Sequence, residues 1–188
     1  MQAGRLIASE LNALNREMHT VANGMHADEW LRRSVPDTNY PAFTLWHIVR
    51  VIDSTVNMGL RRDAELIASE PWLSKPWSRP DIGTGYSMQQ ADALAAQVVV
   101  DEVLAYADAV RAQVNQWLRS MPEDELESSA RLLDRMRELP AYNHPALMEA
   151  TAPFEEQPMW AVLAFACFAH GWGHLEEIRV LARAGRSA

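Results

Sequence analysis

"FAHGWGHLEEIRVL", residues 168–181, puts His170 and His174 four apart at the end of a stretch as apolar as "MWAVLAFACFAH", residues 159–170. On a helix, residues four apart share one face, about 6 Å apart along the axis. Two imidazoles placed so either converge on one metal ion or are unrelated polar side chains. The chain has six histidines, enough for a chance spacing of four, so the pair alone is weak evidence. Its setting is stronger, because an imidazole in an apolar helix costs free energy unless its nitrogens are satisfied.

A third histidine shifts the balance. His47 lies in "FTLWHIVRV", inside the other very apolar helical stretch. Counting from the end of that helix near residue 61, His47 stands about 21 Å up the axis at 1.5 Å per residue. Counting from residue 158, His170 and His174 stand roughly 18 and 24 Å up theirs. Antiparallel helices therefore bring all three to one level. In a parallel pair His47 is only about 9 Å from its helix start and misses the other two. Three histidines at one level form a metal site.

The rest of the chain reads as four amphipathic helices. Residues 4–33 carry Ile7, Leu11, Leu14, Met18, Val21 and Met25 at alternating spacings of four and three, a packing seam. Pro41 suits the first turn of a second helix, 41 to about 61, apolar almost all round and hence central. "PWLSKPWSRPDIGTG" marks 62–86 as a loop or crossover. Ser87 with Gln90 is a capping-box signature for a third helix over roughly 88–120. Residues 121–157 are polar and punctuated by proline, a long connection with short helices. Pro158 opens the fourth helix, which ends near Gly185. The expectation is an all-α single domain over 1–188, a four-helix bundle whose long connections allow a crossover.

Composition narrows the partners. A length of 188 residues, 48% of them hydrophobic, builds one full core rather than a disordered chain. A formal net charge of -8 repels phosphate backbones, which disfavours nucleic acid. The longest apolar run, 159–169, is too short to span a bilayer. The start lacks a signal-peptide core, and the single cysteine, Cys167, excludes an intramolecular disulfide. A soluble cytoplasmic protein is expected, with no membrane and no nucleic acid among its partners.

Around the triad, Cys167 and Glu177 fall on roughly the histidine face. Cys167 as a thiolate would close a His3Cys structural site; the blander reading is a small buried residue. Glu177 is either an acceptor orienting an imidazole or a general base, against an exposed charge near the helix end. Glu176 points to solvent. Arg50, beside His47, either holds a substrate carboxylate or makes a surface ion pair. His19 and His26, seven apart and so about 10 Å along the first helix, are too far apart to share an ion. His144, before Pro145, suits a helix start or a cover over the site. Trp72 and Trp77 either rim a pocket or pack.

The segments "LWHIVRV", "HGWGHLEEIRVL" and "PWLSKPWSRPDIGTGY", in this order, resemble the DinB/YfiT-like superfamily of metalloenzymes over nearly the whole chain. The resemblance implies a bundle in up-down-down-up order, which makes helices two and four antiparallel, and a metal triad at His47, His170 and His174. It also implies nickel or zinc, with iron open as well, and a homodimer. Where the family frequently has glutamine after the second histidine of helix four, this chain has Glu177. Relatives include mycothiol-dependent maleylpyruvate isomerase and bacillithiol transferase.

Three functions follow as expectations. The first is a metal-dependent transferase or isomerase that joins a low-molecular-weight thiol cosubstrate to a small electrophile, with Arg50 positioning the acceptor. The second is a metal-dependent hydrolase in which Glu177 or His144 moves protons. The third is a non-catalytic metal-binding stress-response protein, its fourth position filled by Cys167.

Overall fold

The computed structural model describes residues 3–186; the extreme ends of the expected 1–188 domain lie outside the described residues. Among the described residues the regular elements are helical and no strand forms. Helix α1 spans Ala3–Asn23 and buries Ile7, Leu11, Leu14, Met18 and Val21, the expected seam without Met25. It stops short of residue 33. Gly24 bonds back to the carbonyls of Thr20 and Val21 (3.2 and 3.0 Å), and Ala27–Leu31 forms a separate 3-10 turn.

Helix α2, Pro41–Asp53, opens on Pro41 and continues as a π-helical stretch, Ser54–Leu60. Every residue of α2 is buried except His47. The expected third helix is two, α3 at Met88–Ala95 and α4 at Val100–Ser120. Ser87 caps α3, its Oγ accepting from the Gln90 N–H at 3.3 Å while Gln90 returns an acceptor to the Ser87 N–H at 2.9 Å. The break follows from Val98, Val99 and Val100, β-branched in a row and poor helix formers. Asp101 and Glu102 then suit a fresh helix start.

The connection 121–157 holds α5 (Glu123–Leu126), α6 (Leu132–Arg137) and α7 (Pro145–Thr151), then a 3-10 turn at Ala152–Phe154. The last helical segment is α8 (Met159–Ala164), a π turn (Phe165–Ala169) and α9 (His170–Arg186).

Helix α1 packs on α4 and on the α8–α9 segment, and α2 packs on both α4 and α9. Their shared core includes Leu11, Leu14, Trp46, Ile48, Val110, Leu175 and Ile178. Truncating one such side chain to alanine costs about 2–5 kcal/mol. A smaller cluster of Val51, Met58, Leu132, Met136, Leu147 and Val162 ties the 121–157 connection to α2 and α8. Gly171 lets α9 approach closely, since a Cβ there would run into Leu14 and lie 3.3 Å from Ile48 Cγ2. None of the described helices is long and apolar enough to cross a membrane.

Candidate metal centre

His47, His170 and His174 come together as the sequence spacing predicts. Each offers a nitrogen, and the three lie within 4.8 Å of one another, a set that can hold a metal ion. Ring centroids are 5.0 Å apart for His47 and His170, 5.2 Å for His47 and His174, and 4.5 Å for His170 and His174.

His47 is aimed by the loop after residue 80. Its Nδ1 lies 2.6 Å from the Ile82 carbonyl oxygen. A carbonyl only accepts, so Nδ1 carries the proton and Nε2 keeps its lone pair. The loop is itself pinned. Asp81 accepts from the Gly83 N–H at 2.8 Å and from the Tyr86 hydroxyl at 3.0 Å. Gly83 has φ +78, and a Cβ there would sit 2.8 Å from Phe43 Cζ. Only glycine meets both demands without strain.

On α9, His174 Nδ1 donates to Glu177 Oε2 at 2.9 Å, again leaving Nε2 free. An imidazole whose far nitrogen is held by a carboxylate or carbonyl is the usual arrangement of a metal ligand. His170 Nδ1 is buried with no protein partner, an omission that costs about 1–3 kcal/mol. Burial pushes His47 down to about 4 and, aided by the other two rings, His170 down to about 3. Both reach neutral pH as uncharged ligands. On these counts the residues fit a divalent transition metal.

Beside the triad lies a cavity of about 110 Å3. His47 and His170 form part of its wall, with Val51, Leu132, Leu147 and Val162 deeper and Phe154 and Phe165 nearer the surface. The 121–157 connection thus supplies one side of the cavity, through Leu132, Leu147, Ala150, Thr151 and Phe154 rather than through His144.

Arg50 corrects the surface ion-pair expectation, being fully buried. Its Nη1 donates to Asp53 Oδ2 and the Tyr106 hydroxyl, both at 3.1 Å. Nη2 donates to Glu65 Oε2 at 2.6 Å and to the Tyr142 hydroxyl at 3.1 Å, while Nε reaches the Asp81 carbonyl at 3.3 Å. Burial works against the charge on Arg50, but the surrounding tyrosines and carboxylates outweigh it and hold the group protonated. Burial likewise raises Glu65, with Arg50 opposing. Arg50 does not line the cavity.

Cys167 stays outside the triad, buried in the main core with its thiol pushed up to about 12 by burial. The reason is local. The π turn Phe165–Ala169 is wider than an α turn, so residues three apart no longer share a face. His144 lies at the start of α7 against Gly85. His19 pairs with Asp108 at 3.3 Å, and His26 opens the 3-10 turn. Glu176 is exposed and pairs with Arg179 and Arg183. Trp77 packs fully buried against Tyr106, and Trp72 lies half-buried beside both. Sequence reasoning missed Asp53, Glu65, Tyr106 and Tyr142. The one available sign was Asp53 and Asn57, polar and four apart in an apolar helix.

No protein of curated function matches the chain. A family model described as the DinB superfamily matches residues 10–178 and so spans all three histidines; the chain belongs to that superfamily.

Proposed function

We propose that this DinB-superfamily chain is a metal-dependent enzyme that holds one divalent transition ion, nickel or zinc with iron as a third candidate, through His47, His170 and His174. The observation that carries the reading is the convergent histidine triad, two of whose members, His47 and His170, wall a cavity, and two of whose rings, His47 and His174, are already oriented by oxygen acceptors. The reaction we assign is transfer or isomerisation of a small electrophile with a low-molecular-weight thiol as cosubstrate. An ion with an open position supplies Lewis-acid chemistry and lowers the pKa of a thiol or water bound to it.

In this reading the chain's own groups orient and enclose. Glu177 fixes the His174 ring from outside the cavity wall. Arg50 acts from behind: through the Asp81 carbonyl it steadies the loop whose next carbonyl aims His47. It is therefore a positioning residue rather than a carboxylate clamp. A thiol is preferred over water because no acidic or basic side chain other than the histidines lines the cavity, and hydrolysis needs a proton carrier for the leaving group. With Cys167 outside the triad, the closed, non-catalytic site loses its fourth ligand.

The bundle order belongs to the same proposal. Pairings of Asn15 with Asp108 and Asn12 with Asn115 run in opposite senses along α1 and α4. Those of Arg50 with Tyr106 and Asn57 with Gln113 run together along α2 and α4. Glu17 with Arg179 and Gly24 with Arg186 run together along α1 and α9. These senses support up-down-down-up. A homodimer, implied by the family resemblance, is checked by light scattering after size exclusion.

The test is metal content by mass spectrometry on untagged protein. About one ion per chain, lost in both His47→Ala and His170→Ala, supports the site. Turnover of an electrophile that needs both the ion and a thiol supports the reaction. Ester or amide turnover without thiol sinks the thiol assignment, and a protein that stays empty when metals are offered sinks the whole reading.

A further inference from the structure

We infer that the molecule acted on inserts a small, uncharged, apolar group into the cavity beside His47 and His170. The inference rests on the metal reading above and adds the substrate class. No Asp, Glu, Lys or Arg lines the cavity. Its side-chain hydroxyls are those of Thr55, Thr84 and Thr151, and Thr151 already donates to its own helix at the Leu147 carbonyl, 2.7 Å away. A charged group seated against that wall, away from the ion, loses its water and finds no counter-charge from the protein, which costs several kcal/mol.

The nearby side-chain cation offers no relief. The Arg50 guanidinium is committed to Asp53, Glu65, Tyr106, Tyr142 and the Asp81 carbonyl. The inner wall is aliphatic. At the rim stands Phe165, 37% exposed, its ring 4.6 Å from Phe154 and 5.4 Å from His170. An aromatic ring held in water at the mouth of an apolar cavity gains by covering an apolar ligand.

Size adds a bound. A cavity of about 150 Å3 accepts benzene, and this one measures about 110 Å3. A branched alkyl group is within that bound. Any charged or sugar-like portion of either reactant therefore stays outside the mouth.

The experiment uses the full chain loaded with cobalt(II), read by the thiolate-to-cobalt absorption band. Three probes are titrated: 2-methylpropane-1-thiol, 3-mercaptopropionate and 2-aminoethanethiol. The neutral thiol is expected to bind about ten-fold or more tighter than either charged one. The two charged probes control for long-range attraction, since a net charge of -8 disfavours only the anion. Ala150→Leu, at an exposed position of the cavity wall, is expected to weaken the neutral thiol about ten-fold. Cobalt stoichiometry and the charged probes should not change. Equal binding of a charged probe overturns the inference, as does an Ala150→Leu variant that weakens all three alike. Failure to bind cobalt, or cobalt kept by His47→Ala, overturns the metal reading and this one with it; bound cobalt without the preference overturns this one alone.

Discussion

His47 and Arg50 stand three residues apart on α2, and each heads a polar cluster inside an apolar helix pack. The Arg50 cluster is complete. Its guanidinium meets Asp53, Glu65, Tyr106, Tyr142 and a carbonyl, and Asp53 in turn accepts from the Leu66 and Ile67 N–H groups, both at 3.0 Å. The histidine cluster is not. Burial holds His47 and His170 uncharged, His47 and His174 each have one nitrogen held, and His170 Nδ1 has no partner. A buried network that answers every donor with protein atoms keeps the fold in place. One that leaves lone pairs converging on a common point is built to be finished by something else.

The sharpest way to break that contrast is to remove the head of each cluster. Arg50→Met leaves Asp53 and Glu65 buried without their cation. The expected loss is about 3–5 kcal/mol of unfolding free energy, metal or no metal. Denaturant titration of the apo protein measures it, and a loss under about 1 kcal/mol would mean the network does not hold α2 to α4. The histidines should behave the other way round. His47→Ala and His170→Ala are expected to lose bound metal altogether while shifting apo stability by only about 1 kcal/mol. If His170→Ala keeps the metal and instead unfolds the chain, the open cluster is structural after all.

A pH series separates the clusters with less disturbance. In the apo protein His47 is held near 4 and His170 near 3 by burial, below the value each has when unfolded. Lowered histidines stay uncharged in the native state while the unfolded chain takes up protons. Their contribution to stability is thus whole above about pH 6.5 and lost as the pH falls toward 4 and below. The two rings repel when charged, so the second proton enters later than the first. We expect wild type to lose stability more steeply than His170→Ala between about pH 6 and 4, by roughly one proton's worth, about 1.4 kcal/mol per pH unit. Identical slopes would place the His170 ring in water.

The two clusters also differ in how plainly the sequence shows them. The triad is legible because each histidine interrupts an apolar helix and because rise per residue converts position into height. Helix starts at Pro41 and Ser87 are equally local and equally legible. Arg50 is not, because its partners lie 15, 56 and 92 residues away, and no periodicity ties Tyr106 or Tyr142 to it. The π turn before His170 hides for a different reason. The expectation that Cys167 shares the histidine face assumes an unbroken 3.6-residue period, which the π turn Phe165–Ala169 breaks. The helix break at 96–99 falls between these cases. Three successive β-branched residues, Val98 to Val100, mark it in the sequence, yet the capping box at Ser87 reads as the start of one helix over 88–120.

The smallest expected effect concerns Glu177, and it tests whether the open cluster is as loosely finished as it looks. Glu177 holds His174 Nδ1 at 2.9 Å from a position one-third exposed, 34% by its side chain. Removing such an orienting acceptor typically weakens a metal site about 10- to 100-fold. Glu177→Ala should fall in that range by competition against a chelator of known affinity. Glu177→Gln retains an amide oxygen that accepts the same Nδ1–H, so it should lose less than about 10-fold. A glutamine variant as weak as the alanine one would show that the charge, not the orientation, is what His174 needs. The acidic residue would then be tuning the ligand's basicity, a role that a neutral amide cannot fill.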